Sequence, residues 1–162
     1  LVINNSTGSG GIHGNNPDEM IIEHCGSACL GNYPIVVTSQ STIYNSWGIL
    51  GATEDFWTGG TAGTGSHNAS EDGTSGTDYP TGDVTLTTIA DHFTNPTANP
   101  ATADFTLKAG SNLIAAGTGS ETVDIAGDTR TGTADIGPFN YASGGIIPQA
   151  SHHYRNNTGS GL

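Results

Sequence analysis

Short apolar runs alternate with clusters of glycine, asparagine and proline along the first third of the chain. The runs have the length and the β-branched content of strands, and the clusters between them are typical of turns. The pattern therefore predicts short strands at residues 1–3, 20–23, 35–38, 42–44 and 49–50.

The apolar positions recur at a nearly constant interval, which Ile3, Ile22 and Ile43 mark. A recurrence of roughly 20 residues with several short strands per repeat is typical of a β-solenoid, in which each strand pairs with its equivalents one turn away. Glycine, asparagine and aspartate tolerate the positive φ angles of its corners. We expect residues 1–57 to form such coils.

The rest of the chain changes in style. Residues 58–83 contain almost no aliphatic side chain, so we predict a long loop that leaves the solenoid. A binding surface is the alternative, since loops on a rigid scaffold often carry function. Residues 84–141 regain strand character and are predicted to hold the last strands and a cap. Residues 142–162 follow as an extended tail.

Composition supports the same fold class and excludes several functions. The 162 residues include 25 glycines, and 15 acidic against 3 basic residues give a net charge of −12. Glycine disfavours helix interiors. The shortage of lysine and arginine excludes nucleic-acid binding by phosphate neutralisation and argues against docking on an anionic membrane. No apolar run approaches the roughly 18–20 residues of a spanning helix.

Three motifs follow one another within residues 95–141. They read Asp-Phe-Thr-Leu-Lys-Ala-Gly-Ser-Asn-Leu-Ile-Ala-Ala-Gly (104–117), Asp-Ile-Ala-Gly-Asp-Thr-Arg (124–130) and Asp-Ile-Gly-Pro-Phe-Asn-Tyr (135–141). Together they resemble the C-terminal cap of right-handed parallel β-helix proteins, the large surface and phage proteins related in fold to pectate lyases. Two positions depart from the family's pattern, because Asn112 replaces a usual proline and Ala115 a usual aspartate.

The resemblance implies an all-β chain that forms the final coils of a right-handed parallel β-helix (solenoid), closed by a C-terminal cap and followed by a short tail. It says little about chemistry, because such caps close helices of many functions. Residues 1–4 lack comparable cover, so we expect upstream coils or a partner chain there. The predicted plugs of the capped end are Phe105, Leu107, Leu113, Ile114, Ile125, Ile136 and Phe139.

Carboxylates around Arg130 form one candidate site. We predict a structural clamp in which Arg130 ties cap turns together through Asp124 and Asp135. A calcium site that also uses Asp128 is the alternative, because hard cations bind several oxygens. We expect no other cofactor.

Glu54 and Asp55, directly before Phe56 and Trp57, are the best catalytic pair in the chain. Paired carboxylates beside aromatic residues occur in sugar-cleaving clefts. The alternative, which we favour, is a solvated pair that precedes core aromatics, so no catalytic residue is predicted.

Two further features leave alternatives open. Cys25 and Cys29 could be thiols, a local disulfide or part of a metal site. The segment His152, His153, Tyr154 and Arg155 is predicted to dock on a neighbouring chain, with a disordered tail as the alternative.

These features predict a non-enzymatic structural or adhesive protein on a virion or an extracellular surface. A phage decoration, fibre or tail protein is our first expectation, as a homo-oligomer among other virion or surface proteins. Carbohydrate is a further candidate ligand. A bacterial cell-surface protein and a polysaccharide lyase or hydrolase with upstream catalytic coils are the alternatives.

Overall fold

The computed structural model describes residues 1–4, 11–14, 20–37, 41–58, 64–119, 122–130 and 132–141. Within them, strands outnumber helices, and both helices are short. The strands are β1 (Val2–Asn4), β2 (Ile12–Gly14), β3 (Ile21–Glu23), β4 (Gly26–Cys29), β5 (Ile35–Val37), β6 (Thr42–Tyr44), β7 (Trp47–Ile49), β8 (Phe56–Trp57), β9 (Thr64–Ser66), β10 (Ala69–Ser70), β11 (Val84–Thr85), β12 (Phe93–Asn95) and β13 (Asp104–Leu107). The helices are α1 (Thr74–Asp78) and α2 (Ile89–His92).

Three parallel sheets dominate the structure. Sheet A has the order β1-β4-β7-β10-β11, sheet B has β2-β5-β8, and sheet C has β3-β6-β9. From β1 to β9 the chain therefore contributes one strand to each sheet in turn. The strands β12 and β13 form a separate antiparallel pair. The predicted all-β class with parallel, stacked strands is confirmed.

The registers define the repeat. Ile22 pairs with Ile43 in sheet C, and Ile35 pairs with Phe56 in sheet B. Ile3, by contrast, pairs with Ala28 in sheet A. Our pairing of Ile3 with Ile22 as repeat equivalents is therefore wrong, because one lies in sheet A and the other in sheet C.

Several strands have no apolar signature. The strand β4 reads Gly-Ser-Ala-Cys and is buried throughout. A Cβ atom added to Gly26 would lie 2.3 Å from the ring of Trp47 on the neighbouring strand, so this position must be small. Because β4 is buried on both faces, it carries small residues. A search for apolar runs does not detect such a strand.

The prediction of a loop over residues 58–83 is wrong for the part that the structure describes. The strands β9 and β10 lie in sheets C and A, and α1 follows them. At Gly65 a Cβ atom would clash with the Ile43 carbonyl and lie 3.0 Å from the Tyr79 ring, so this position has no room for a larger residue. The apolar run 113–115, by contrast, forms a turn rather than a strand.

One hydrophobic core lies inside the three sheets. Aliphatic side chains from sheets B and C meet there, and Tyr79 packs against Phe56 with ring centroids 6.3 Å apart. Because α1 contacts β8, β10 and β11, α1 and Tyr79 cover this core at the last strands. The buried members of the core are Ile22, Ile35, Val37, Ile43, Phe56 and Tyr79.

A second core lies on the outer face of sheet A. A Cβ on Gly48 would lie 3.1 Å from the Phe56 ring, which places position 48 on the inner face. Side chains alternate along a strand, so Trp47 and Ile49 point outward. There the C-terminal segment, residues 86–141, packs on them. The buried members of this core are Ala28, Trp47, Ile49, Ala69, Leu86, Phe93, Phe105, Leu107, Leu113 and Ile136.

The second core corrects the predicted plugs. Phe105, Leu107, Leu113 and Ile136 are buried against sheet A, so they cover the face of a sheet instead of the end of a coil. Ile125 is 59% exposed and plugs nothing. The physical reason is that Trp47 and Ile49 present an apolar outer face that water would otherwise contact.

Candidate functional site

A polar column marks the corner between sheets C and A. The backbone N–H of Cys25 donates to the Ser46 hydroxyl (3.2 Å), the Ser46 N–H donates to the Asn68 side-chain oxygen (3.1 Å), and the Asn68 N–H donates to Asp83 Oδ1 (2.7 Å). The residues just before the first three, His24, Asn45 and His67, have φ of 46°, 49° and 55°. At each corner, a backbone N–H thus donates to a side chain that precedes the next strand of sheet A.

Asn45 connects this corner to the C-terminal segment. Its side-chain oxygen accepts from the Thr118 backbone N–H at 2.7 Å, and its amide donates to the Thr118 carbonyl. The Gly137 N–H donates to the Asn45 carbonyl at 2.7 Å. The C-terminal segment therefore runs beside the corner column toward the first strands.

A cavity of about 320 Å³ lies where this segment meets the first corner. Glu23, His24 and Cys25 line one side of it, with Leu1 beside them. Residues 123–125, Arg130 and Pro138 line the other side. Sequence reasoning did not anticipate this cavity, because its two sides come from opposite ends of the described chain.

The structure brings the predicted clamp residues into one region. Arg130 is 9% exposed, and its guanidinium donates to the carbonyl oxygens of Asp135 (3.3 Å) and Gly137 (2.8 Å). Asp124 accepts backbone N–H groups from Ala126 and Asp128 at 2.9 and 2.8 Å. In these contacts the arginine holds main-chain carbonyls, and the aspartate closes its own turn.

Asp124 and Asp135 also reach across the segment. The second oxygen of Asp124 accepts from the Asn140 N–H at 2.9 Å. Asp135 accepts from the N–H groups of Ala115 (2.7 Å) and Tyr141 (2.5 Å). Among the described residues, no group of three or more His, Cys, Asp or Glu side chains is arranged to hold a metal ion.

Replacing Arg130 with alanine is expected to lower the free energy of unfolding by about 1–3 kcal/mol, because two buried carbonyls lose a charged donor. Urea unfolding followed by circular dichroism measures the change. Lys108→Ala is the matched control, since its ammonium group donates to the Ala90 carbonyl on the exposed surface and surface changes cost about 0.5 kcal/mol or less. Equal effects of the two variants would contradict the clamp.

The carboxylate pair Glu54–Asp55 does not form a solvated pair. Asp55 is 1% exposed, while Glu54 is half-buried. Asp55 Oδ1 accepts from the Gly51 N–H (2.9 Å), and Oδ2 accepts from the N–H groups of Glu71 (2.7 Å) and Asp72 (3.2 Å). The favoured expectation of a solvated pair is wrong for Asp55, because its side chain joins the turns before β8 and α1.

Burial raises the pKa of Asp55 to about 7; the Gly51 hydrogen bond opposes this effect, and the negative charge of Asp72 adds to it. Loss of hydration acts to raise the pKa of Asp72, but hydrogen bonds from Thr74 and Asp55 outweigh it and bring this pKa below the ordinary value. A shared network of this kind orders two successive turns.

The two aromatic residues after Asp55 lie on opposite faces of sheet B. Phe56 is buried in the inner core, as the sequence predicts, whereas Trp57 is 37% exposed on the outer face of sheet B. Trp57 stacks on Tyr33 with ring centroids 5.5 Å apart. Of these four residues, only Glu54 and Trp57 therefore remain available to a surface ligand.

Asp83 ends the corner column with one unsatisfied oxygen. Its Oδ1 accepts from Asn68, but its Oδ2 is buried without a described hydrogen-bond partner. Burial raises the pKa of Asp83 to about 7, although the Asn68 hydrogen bond acts in the opposite direction.

The Asp83→Asn variant is expected to flatten the pH dependence of stability. Since the folded-state pKa lies above the ordinary 3.8, the folded state retains this proton as pH rises from about 4 to about 7, and the free energy of unfolding falls over that window. Because the residue is only half-buried, we expect a contribution of about 1 kcal/mol.

Urea unfolding at about pH 5 and pH 8 measures this contribution. The variant should show a smaller difference between the two pH values than the wild-type protein. Asp91→Asn is the control, since Asp91 is exposed on α2. An unchanged difference in the Asp83→Asn variant would contradict the raised pKa.

The cysteines are both thiols in the structure. The Cys25 sulfur donates to the Glu23 carbonyl at 3.2 Å, as the Ser46 hydroxyl does to Tyr44 one level on. Cys29 is 0% exposed in sheet A. The thiol alternative is therefore the one that the structure contains.

The predicted docking segment His152–His153–Tyr154–Arg155 lies outside the described residues. Sequence reasoning also missed the corner residues Asn45, Ser46, Asn68 and Asp83. A signal for the first three exists, since a polar residue recurs at the turn between the strands of sheets C and A, but it can be recognised only once the strand pairing is known.

Neither α1 nor α2, with five and four residues, could cross a membrane, and the described part of the chain contains no longer helix that could. Comparisons with family models, curated proteins and solved structures found no match to the chain.

Proposed function

We propose that the chain forms successive coils of a right-handed parallel β-helix with a structural, non-catalytic role. The rotation of β1 to β9 through sheets A, B and C supports coils, because every strand pairs with strands one repeat away. The right hand follows the general preference of parallel crossover connections. The resemblance of the motifs in residues 95–141 to the caps of surface and phage proteins of this fold supports the proposal.

One observation carries the structural role. Among the described strands, β1, β2 and β3 are each the first strand of a sheet and pair on one side only, while α1 and Tyr79 cover the inner core at the other end. Unpaired strand edges accept further strands. Three such edges together suit stacking on another coil better than they suit catalysis.

The buried carboxylates support the same role. Asp55, Asp124 and Asp135 are each at least nine-tenths buried and accept main-chain N–H groups. Their carboxyl oxygens therefore order turns rather than face a substrate.

We assign the protein to a phage virion, as a decoration, fibre or tail component with residues 152–155 docking on a neighbouring subunit. The net charge of −12 and the low lysine content suit an exposed protein. Mass spectrometry of gradient-purified particles from a producing culture is expected to find its peptides in the particle fraction. Recovery from the cell envelope alone would favour the bacterial surface protein instead.

Deletion of residues 152–162 is expected to leave the β-type circular dichroism unchanged and to weaken self-assembly, because all described members of the two cores come from residues before 142. Light scattering measures the assembly over a concentration series. A substitution near the chain end alone, Gly161→Ser, serves as the control. Loss of the β signal on deletion would place the segment in the core.

A polysaccharide-degrading enzyme is the second candidate, favoured by the exposed Trp57 stacked on Tyr33 beside the half-buried Glu54. Incubation with neutral and acidic polysaccharides tests it. Release of reducing ends or unsaturated products that is lost in Glu54→Gln would establish this activity and overturn the structural role.

A further inference from the structure

The cavity beside the first corner has an apolar rim that is open to water. Leu1, Val123 and Ile125 line it and are 37%, 52% and 59% exposed. Half of the exposed large apolar side chains of the described chain thus surround one cavity. Apolar clusters of this kind mark places where another segment packs. The full set of exposed large apolar residues is Leu1, Ile21, Leu30, Trp57, Val123 and Ile125.

The C-terminal tail starts close to this cavity. Pro138 lines it, and the described chain ends shortly afterwards at Tyr141. Residues 142–162 follow, with an adjacent aliphatic pair at Ile146 and Ile147. Five residues span up to roughly 17 Å when extended, so this pair can reach the cavity of the same molecule.

Charge favours the same contact. Residues 1–141 contain 15 acidic and 2 basic side chains, a net charge of −13, whereas residues 142–162 contain Arg155 and no acidic side chain. Among the charged side chains that line the cavity, Glu23 and Asp124 are acidic and Arg130 is basic. The tail is therefore attracted to the body of the protein.

We propose that Ile146 and Ile147 occupy the cavity between Leu1, Cys25, Val123, Ile125 and Pro138 of the same chain. The short connection from Tyr141 gives the pair a high effective concentration at the cavity. The contact buries the exposed apolar rim of the cavity.

The thiol of Cys25 reports on this contact, because it lines the cavity and is half-buried, whereas Cys29 is fully buried. We expect iodoacetamide to modify Cys25 about tenfold faster in the full chain carrying Ile146→Asp and Ile147→Asp than in the wild-type protein. A tenfold change corresponds to a tail that is seated about nine-tenths of the time.

Two controls accompany this measurement. Ser143→Asp with Gln149→Asp adds the same two charges beside the isoleucines and should keep the slow rate. Cys25→Ser should abolish modification under native conditions, which identifies the reacting thiol.

Equal rates in the wild type and in the isoleucine variant would overturn the proposal. Protection that disappears on hundredfold dilution would also overturn it, because the tail would then come from a second copy. The thiol measurement tests the tail contact alone. Rapid modification of Cys25 would overturn this contact without affecting the proposed β-helix assembly, and a failure of assembly would leave the protection of Cys25 unchanged.

Discussion

Trp47→Ala is expected to lower the free energy of unfolding by about 4 kcal/mol, the usual cost of removing a fully buried large aromatic side chain. Trp47 is 1% exposed and lies 5.1 Å from Phe93 and 4.9 Å from Phe105 between ring centroids. It therefore joins the outer face of sheet A to the C-terminal segment. Urea unfolding monitored by circular dichroism measures the loss.

Trp57→Ala is the matched control, because Trp57 lies on a strand but is 37% exposed; we expect a cost of about 1 kcal/mol or less. Limited trypsin digestion adds a local readout, since Lys108 and Arg130 are the basic residues of the packed C-terminal segment. Trp47→Ala should speed cleavage at both. Equal stability losses in the two tryptophan variants would contradict a second core on sheet A.

Asp55→Ala is expected to destabilise the protein by about 3 kcal/mol. The substitution leaves the N–H groups of Gly51, Glu71 and Asp72 without their acceptor, and each unsatisfied buried donor costs about 1–3 kcal/mol, less where water can reach it. The same unfolding experiment measures this change near neutral pH.

Asp128→Ala is the control for Asp55, since its side chain is exposed. It should change the free energy of unfolding by about 0.5 kcal/mol or less. A fully stable Asp55→Ala protein would show that the carboxylate does not order these turns, and Asp55 would then return to the catalytic candidates.

The predicted strands show how far local pattern reaches. β5 and β6 appear where apolar, β-branched residues predict them, because both strands supply large side chains to the inner core. β9 and β10 were missed, since Thr-Gly-Ser and Ala-Ser carry no apolar signal. Those strands form because β6 and β7, the preceding strands of the same sheets, provide their hydrogen-bond partners.

The candidate sites follow the same division. The grouping of Arg130 with Asp124 and Asp135 was predictable from their closeness in sequence. The cavity, the corner column and the inward position of Asp55 were not, because each depends on contacts between residues that are distant in the sequence.

By itself, the sequence determined a β-rich, acidic, turn-broken chain with short strands, since strand length, glycine content and charge are local properties that pairing does not alter. Only the tertiary structure decided which strands share a sheet, that the C-terminal segment covers the outer face of sheet A, and that Tyr79 covers the inner core. These features depend on register, and a shift of a single residue in a strand exchanges its inner and outer faces.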